Sequence, residues 1–214
     1  VILVPRIGVL SLQGDFACHR SSIEALGAAA VRVVLPEHLN GIDALLMPGG
    51  ESTTMLRLME VNGLREPLSS FVKTRPVMGT CAGVILLGRQ ADRLPFPPLG
   101  VLDVDVERNA YGRQIDSFEA EVQSPVVGGG YHGVFIRAPR IRRVGAGVEV
   151  VATLPDPAGS EGTIVGVRQQ RIVGLSFHPE LTSDLRFHRW FLESVAGLSL
   201  PSADASAARA AEPS

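Results

Sequence analysis

Two short segments hold the residue types needed for a nucleophilic thiol and its base. The first is Gly79-Thr80-Cys81-Ala82-Gly83, a cysteine with a glycine two residues away on either side. The apolar stretch Pro76-Val77-Met78 runs straight into it, and a helix-like pattern follows as far as Gly88. A strand that turns abruptly into a helix around a nucleophile is an elbow, in which the reactive side chain stands clear above the sheet edge. Glycines belong there because the turn is tight and strained, and side chains at the flanking positions would strike the strand or the helix. The free N–H groups and positive end of the following helix favour thiolate over thiol. Free cysteine, with a pKa of about 8.5, is only a few per cent thiolate at pH 7, so a fall of about two units would make the reactive form dominant.

The second segment is His178-Pro179-Glu180, a base and a carboxylate directly after an apolar run. Residues two apart in an extended chain face the same side, so Glu180 can orient the imidazole and stabilise its charged form while His178 exchanges protons with Cys81. A third segment, Pro48-Gly49-Gly50-Glu51-Ser52-Thr53, is a Gly-Gly turn followed by residues that cap helices well. One glycine N–H there, with that of Ala82, would make an oxyanion hole for a tetrahedral intermediate of acyl transfer. Taken singly, a cysteine in a glycine-rich turn, a histidine at a strand end and a Gly-Gly turn are ordinary structural features. Their combination makes sense if the fold brings them to one edge.

The pattern of elements supplies such an edge. In the first half, short runs rich in Val, Ile and Leu alternate with longer helical stretches, the signature of βαβ units and a buried parallel sheet. Strands are predicted over Ile7 to Leu12, Val31 to Leu35 and Ala44 to Met47, with helices over His19 to Ala28, Thr53 to Met59 and Arg65 to Lys73. The second half reads as shorter, more antiparallel strands at Val101 to Val106, Phe118 to Val122, Gly133 to Ile136 and Val148 to Ala152. Thr163 to Arg168 and Ile172 to Phe177 read as a hairpin whose second strand delivers His178, and a last helix carries Leu185, Trp190, Phe191 and Val195 inward. Loops at the carboxyl ends of parallel strands are where open α/β folds place ligands, so the three segments can converge.

Composition narrows the class. The 214 residues, 45% hydrophobic and 20% charged, suit one globular domain over residues 1–200. Residues 201–214, almost all Ala, Ser, Pro and charges, read as a flexible tail, too poor in large apolar groups to offset their ordering entropy. A net charge of −2 gives no field to draw the chain to nucleic acid or an anionic membrane. No apolar run reaches the roughly 18 residues of a membrane span, and no cleavable leader is visible, so a cytoplasmic location is expected. Two cysteines, Cys18 and Cys81, in a chain of this size suggest reduced thiols rather than a disulfide framework. His19, His38, His132 and His188 lack ligand spacing and read as surface or packing residues; neither a metal nor a cofactor is expected.

The elbow around Cys81 together with His178-Pro179-Glu180 resembles the Cys-His-Glu triad of class I glutamine amidotransferases. Further segments are similar to one branch, the glutaminase subunits of pyridoxal 5′-phosphate synthase: Ile7 to Gly14, Pro48 to Met55, Val106 to Asn109, Gly112 to Glu119 and Val134 to Pro139. The likeness runs from about Ile7 to Ala196, while Cys18, the Gly-rich Pro125 to Tyr131 and the tail depart from the family pattern. It implies a three-layer, flavodoxin-like α/β fold with a mostly parallel central sheet and an antiparallel extension in the second half. It also implies that L-glutamine is held by Gly49, Gly50, Glu51, Arg108, Ile136 and Arg137; Gly50 and Ala82 are the expected oxyanion donors, and Gln13, at the end of the first strand, is placed to support or gate that loop. A barrel-shaped synthase subunit is the implied partner, with low glutaminase activity until it docks. Two other readings stand beside this one: a superfamily member serving a different ammonia acceptor, and an interaction subunit that keeps the fold without the reaction.

Overall fold

The computed structural model describes residues 3–108, 117–156 and 162–201. The segment Gly112 to Asp116, part of the family likeness, and the expected tail beyond Pro201 lie outside the described residues. Strands β1 (Arg6–Leu10), β2 (Ala29–Val33), β3 (Ala44–Met47), β4 (Val77–Thr80) and β12 (Ile172–Leu175) form the parallel part of a nine-stranded sheet, in the order β2-β1-β3-β4-β12. From β12 the sheet continues antiparallel through β11 (Thr163–Gln169), β10 (Glu149–Leu154), β7 (Ser117–Ser124) and β8 (Gly129–Ile136). The expected parallel sheet with an antiparallel extension is thus observed.

The parallel strands read as unbroken apolar runs because helices cover both faces. Along β3, Ala44 and Leu46 join one core with Ile23 of α1 (Phe16–Ala25) and Phe187 of α5 (Arg186–Trp190). Leu45 and Met47 join the opposite core with α2 (Ser52–Val61), α3 (Arg65–Val72) and α4 (Ala82–Leu87). These are the three layers. Full burial of each large apolar side chain stabilises by about 1.5–3 kcal/mol, and this two-sided burial holds the strand ends that carry the elbow.

Several boundaries differ from the sequence reading. The first strand ends at Leu10 rather than Leu12, and the first helix starts at Phe16 because the Asp15 side chain caps it, accepting from the Cys18 N–H at 3.0 Å. A second sheet, β5 (Gly88–Ala91), β6 (Leu102–Glu107) and β9 (Arg140–Val144), was anticipated only at β6. The Gly-rich stretch before Tyr131 turns β7 into β8, and its Val127 and Gly130 carbonyls accept hydrogen bonds from Arg186 at 2.9 and 2.8 Å. Among the described residues no helix is long and apolar enough to cross a membrane.

Candidate active site

Cys81 sits between β4 and α4 with φ +47° and ψ −104°, a conformation that costs an ordinary residue energy and persists only where its surroundings enforce it. Its N–H donates to the Leu175 carbonyl of β12 at 2.8 Å, which pins the turn to the neighbouring strand. The flanking glycines are needed for close approach. A Cβ on Gly79 would lie 2.6 Å from the Gly83 carbonyl carbon, and one on Gly83 would lie 2.1 Å from the Met47 oxygen of β3. The helix that follows the cysteine has six residues, so the local N–H groups at its start matter more than any long dipole.

His178 arrives by a different route from the one expected. β12 ends at Leu175 instead of Phe177, and Pro179 opens a 3-10 turn, Pro179–Leu181, that contains Glu180. The pair therefore meets across a tight turn, Pro179 fixing φ at its first position, and not along an extended strand. The result is still direct contact, with His178 Nδ1 donating to Glu180 Oε1 at 2.7 Å. The turn is anchored by the His178 N–H, which donates to Val134 O of β8 at 2.9 Å, and by fully buried Phe177, whose ring meets Phe187 edge-on at 5.2 Å.

Cys81 and His178 face one pocket of about 370 Å³. The sulfur is 3.7 Å from the Ile136 carbonyl oxygen. His178 Nε2, on the ring edge not used by Glu180, is buried without an aligned hydrogen bond, as is common before a substrate draws a base and nucleophile together. The electrostatics are nonetheless coupled. Burial alone would lower the pKa of His178, but its interactions with Cys81 and Glu180 prevail and raise it to about 10. Burial pushes Glu180 the other way from its neighbours: His19, whose ring nitrogen lies 3.5 Å away, and the hydrogen bond and charge of His178 hold the carboxyl down at about 2.

The same pocket is lined by Gly49, Gly50, Glu51, Arg108, Ile136 and Arg137. A Cβ on Gly49 would lie 2.3 Å from His178 Cε1, so the glycine turn after β3 packs directly on the imidazole. Glu51, rather than Ser52 or Thr53, is the cap of α2: it accepts from Thr53 N at 3.2 Å and Thr54 N at 2.8 Å. Burial would raise its pKa, but these bonds and those from the threonine hydroxyls hold it at about 2, so it is a fixed negative charge. Arg108 lies 3.4 Å from it and is tied by the Arg93 carbonyl at 2.9 Å. Gln13 accepts from the Glu51 N–H, which fastens the end of β1 to the glycine loop. Ala82, first residue of α4, is buried and has no intrahelical acceptor for its N–H. Gly14, Asp15, Ser52, Ile85 and Leu181 also line the pocket and were not anticipated, although each adjoins a segment that was. Among the described residues no three His, Cys, Asp or Glu side chains gather as a metal site.

A family model, the SNO glutamine amidotransferase family, matches residues 9–197. The chain belongs to that family. Similar proteins include pyridoxal 5′-phosphate synthase subunit PdxT of Geobacillus kaustophilus, 51% identical over 191 residues, covering 89% of this chain and 94% of the relative. The PdxT of Corynebacterium jeikeium is 50% identical over 192 residues, covering 88% and 96%. A crystal structure of a glutamine amidotransferase superposes with a TM-score of 0.82 at 47% identity, covering 90% of this chain and 99% of the other. Membership in this amidotransferase family agrees with the family likeness read from the motifs.

Proposed function

We propose that this chain hydrolyses L-glutamine to L-glutamate and ammonia and passes the ammonia to a pyridoxal 5′-phosphate synthase subunit. The observation that carries this is the meeting of Cys81 with the hydrogen-bonded pair His178 and Glu180 in one pocket, from elements far apart in the chain. The Cys81 sulfur attacks the side-chain amide carbon, with backbone N–H groups of the Gly49-Gly50 turn and of Ala82 stabilising the oxyanion. His178, oriented by Glu180, delivers its Nε2 proton to the departing nitrogen. Carbon–nitrogen cleavage leaves ammonia and a γ-glutamyl thioester on Cys81. Water attacks the thioester as His178 takes its proton; collapse breaks the carbon–sulfur bond, and the products are glutamate and the restored cysteine.

Substrate binding follows charge. The negative Glu51 suits the α-ammonium of glutamine, and Arg108 or Arg137 suits its α-carboxylate, with Ile136 beside the reacting sulfur. Gln13 steadies the oxyanion loop through the Glu51 N–H. The relatives at about half identity are named as subunits of pyridoxal 5′-phosphate synthase, which supports a synthase partner that consumes the ammonia; the family likeness makes that partner barrel-shaped. Ammonia released into bulk water would be protonated and lost, a physical reason to couple the two sites.

The test is glutamate and ammonia release from glutamine, with and without the synthase subunit. Release that rises with the partner is expected, and Cys81→Ala should abolish it while the complex still forms on a sizing column. An active alanine variant would refute the nucleophile, and equal release with and without the partner would refute the coupling.

A further inference from the structure

Glu180 has two carboxylate oxygens and His178 uses one. The other, Oε2, is buried without an aligned hydrogen bond, and His19 Nε2 of α1 faces it at 3.5 Å. His19 has no exposed surface. Its other ring nitrogen, Nδ1, lies 3.1 Å from Nε2 of His188, which is carried by α5 and is itself 1% exposed. Thr80, next to Cys81 in the chain, places its hydroxyl oxygen 3.4 Å from His19 Nε2. Two fully buried imidazoles from helices at opposite ends of the sequence thus stand in a row behind the carboxylate.

Proton positions in this row are constrained. Burial keeps His188 neutral, with its pKa lowered to about 3, and lowers that of His19 as well. The neutral His188 ring then has one N–H and one lone pair. His188 Nδ1 has no partner. A buried lone pair without a donor is more easily borne than a buried N–H without an acceptor, which puts the His188 hydrogen on Nε2. That hydrogen is donated to His19 Nδ1, so the hydrogen of His19 lies on Nε2, the nitrogen that faces Glu180. Every donor in the row therefore points the same way, towards the carboxylate.

We propose that His19, braced by His188, is a positioning residue for the reaction: it presents Nε2–H to the second oxygen of Glu180 and so sets the carboxylate against which His178 is oriented. This rests on the glutaminase reading above. A carboxylate held at one oxygen can rotate about its side chain, carrying the imidazole away from Cys81. A donor facing the second oxygen at 3.5 Å opposes that rotation, and small misplacements of a base are costly in rate. His19 touches neither substrate nor sulfur and acts only through Glu180.

Three variants assayed in the complex with the synthase subunit separate this role from packing. His19→Gln places an amide N–H near the Nε2 position; His19→Asn stops short, near Nδ1, keeping the His188 contact but not the Glu180 contact; His19→Leu loses both. The expected result is that Gln keeps kcat for glutamine hydrolysis within about threefold of wild type, while Asn and Leu lose about tenfold to a hundredfold with KM little changed. Thermal melts report folding, and the Gln and Asn pair decides the matter if Leu does not fold. Equal kcat for Gln and Asn, or a change confined to KM, overturns the proposal. Absence of turnover in the wild-type complex instead overturns the glutaminase reading.

Discussion

The ion pair of His178 and Glu180 ties activity to stability at single residues. Glu180 is held at about 2 against an ordinary 4.5, so its stabilising contribution is complete above pH 4.5 and is lost as pH falls towards 2. His178 is raised from 6.5 to about 10, so its contribution is complete below pH 6.5 and is lost as pH rises towards 10. The pair therefore contributes most between pH 4.5 and 6.5. Melting temperature measured across the pH range should show a broad maximum there. Glu180→Gln should lower that maximum and flatten the acid flank, while the part of the alkaline flank set by Cys81 beside His178 remains; an acid flank of unchanged shape would mean that the two groups do not form an ion pair. The identity of the pair was legible in the sequence, since histidine and glutamate two apart after an apolar run leave little freedom to miss each other. The His19 and His188 contact was not legible. It depends on α1 and α5 packing against the same face of the sheet, and nothing in the local spacing of either histidine records that.

At the scale of elements, the glycines distinguish positions that serve the site from those that serve the fold. An alanine methyl at Gly49 would press on the His178 ring, a side chain that can tilt away from Cys81 while Nδ1 keeps its bond to Glu180. An alanine methyl at Gly83 would press on the Met47 carbonyl, backbone that can yield only if α4 lifts away from β3. Gly49→Ala should therefore cut glutamine turnover by about tenfold or more with little change in melting, through misplacement of the base. Gly83→Ala should cost about 1–3 kcal/mol in stability, a fall in melting temperature of several degrees. Matched effects of the two on melting would show that both act through packing alone. The elbow and the glycine turn were readable because steric demands leave glycine at fixed offsets. The small second sheet was not readable, because β9, Arg140–Val144, is mostly charged and gains its partners from across the sheet, where Arg143 pairs with Asp105 at 3.0 Å. Charge pairing across strands has no signature in a single strand's periodicity.

Over the whole molecule, the order of strands makes the two halves inseparable. β12, from the antiparallel second half, lies between β4 and β11, so the strand preceding His178 completes the parallel sheet that presents Cys81. The core containing β1, β3 and α1 also contains Tyr131, Phe177 and Trp190. Alternation of strand and helix in the first half and shorter strands in the second were visible in the sequence, and one domain with an antiparallel extension was expected, but the place of β12 between β4 and β11 was not visible. The insertion of β12 joins the halves in one sheet and has a measurable consequence. Unfolding in denaturant should be a single cooperative transition, because neither half retains a covered sheet without the other. The chain has one tryptophan, Trp190, and its fluorescence reports the second half. The exposure of Cys81 to a thiol reagent, in a Cys18→Ser background, reports the elbow in the first half. The two curves and far-UV circular dichroism should share one midpoint. An elbow that opens at lower denaturant than the tryptophan core would show that β4 and β12 part before the rest of the sheet, and that the site is a local assembly rather than a product of the whole fold.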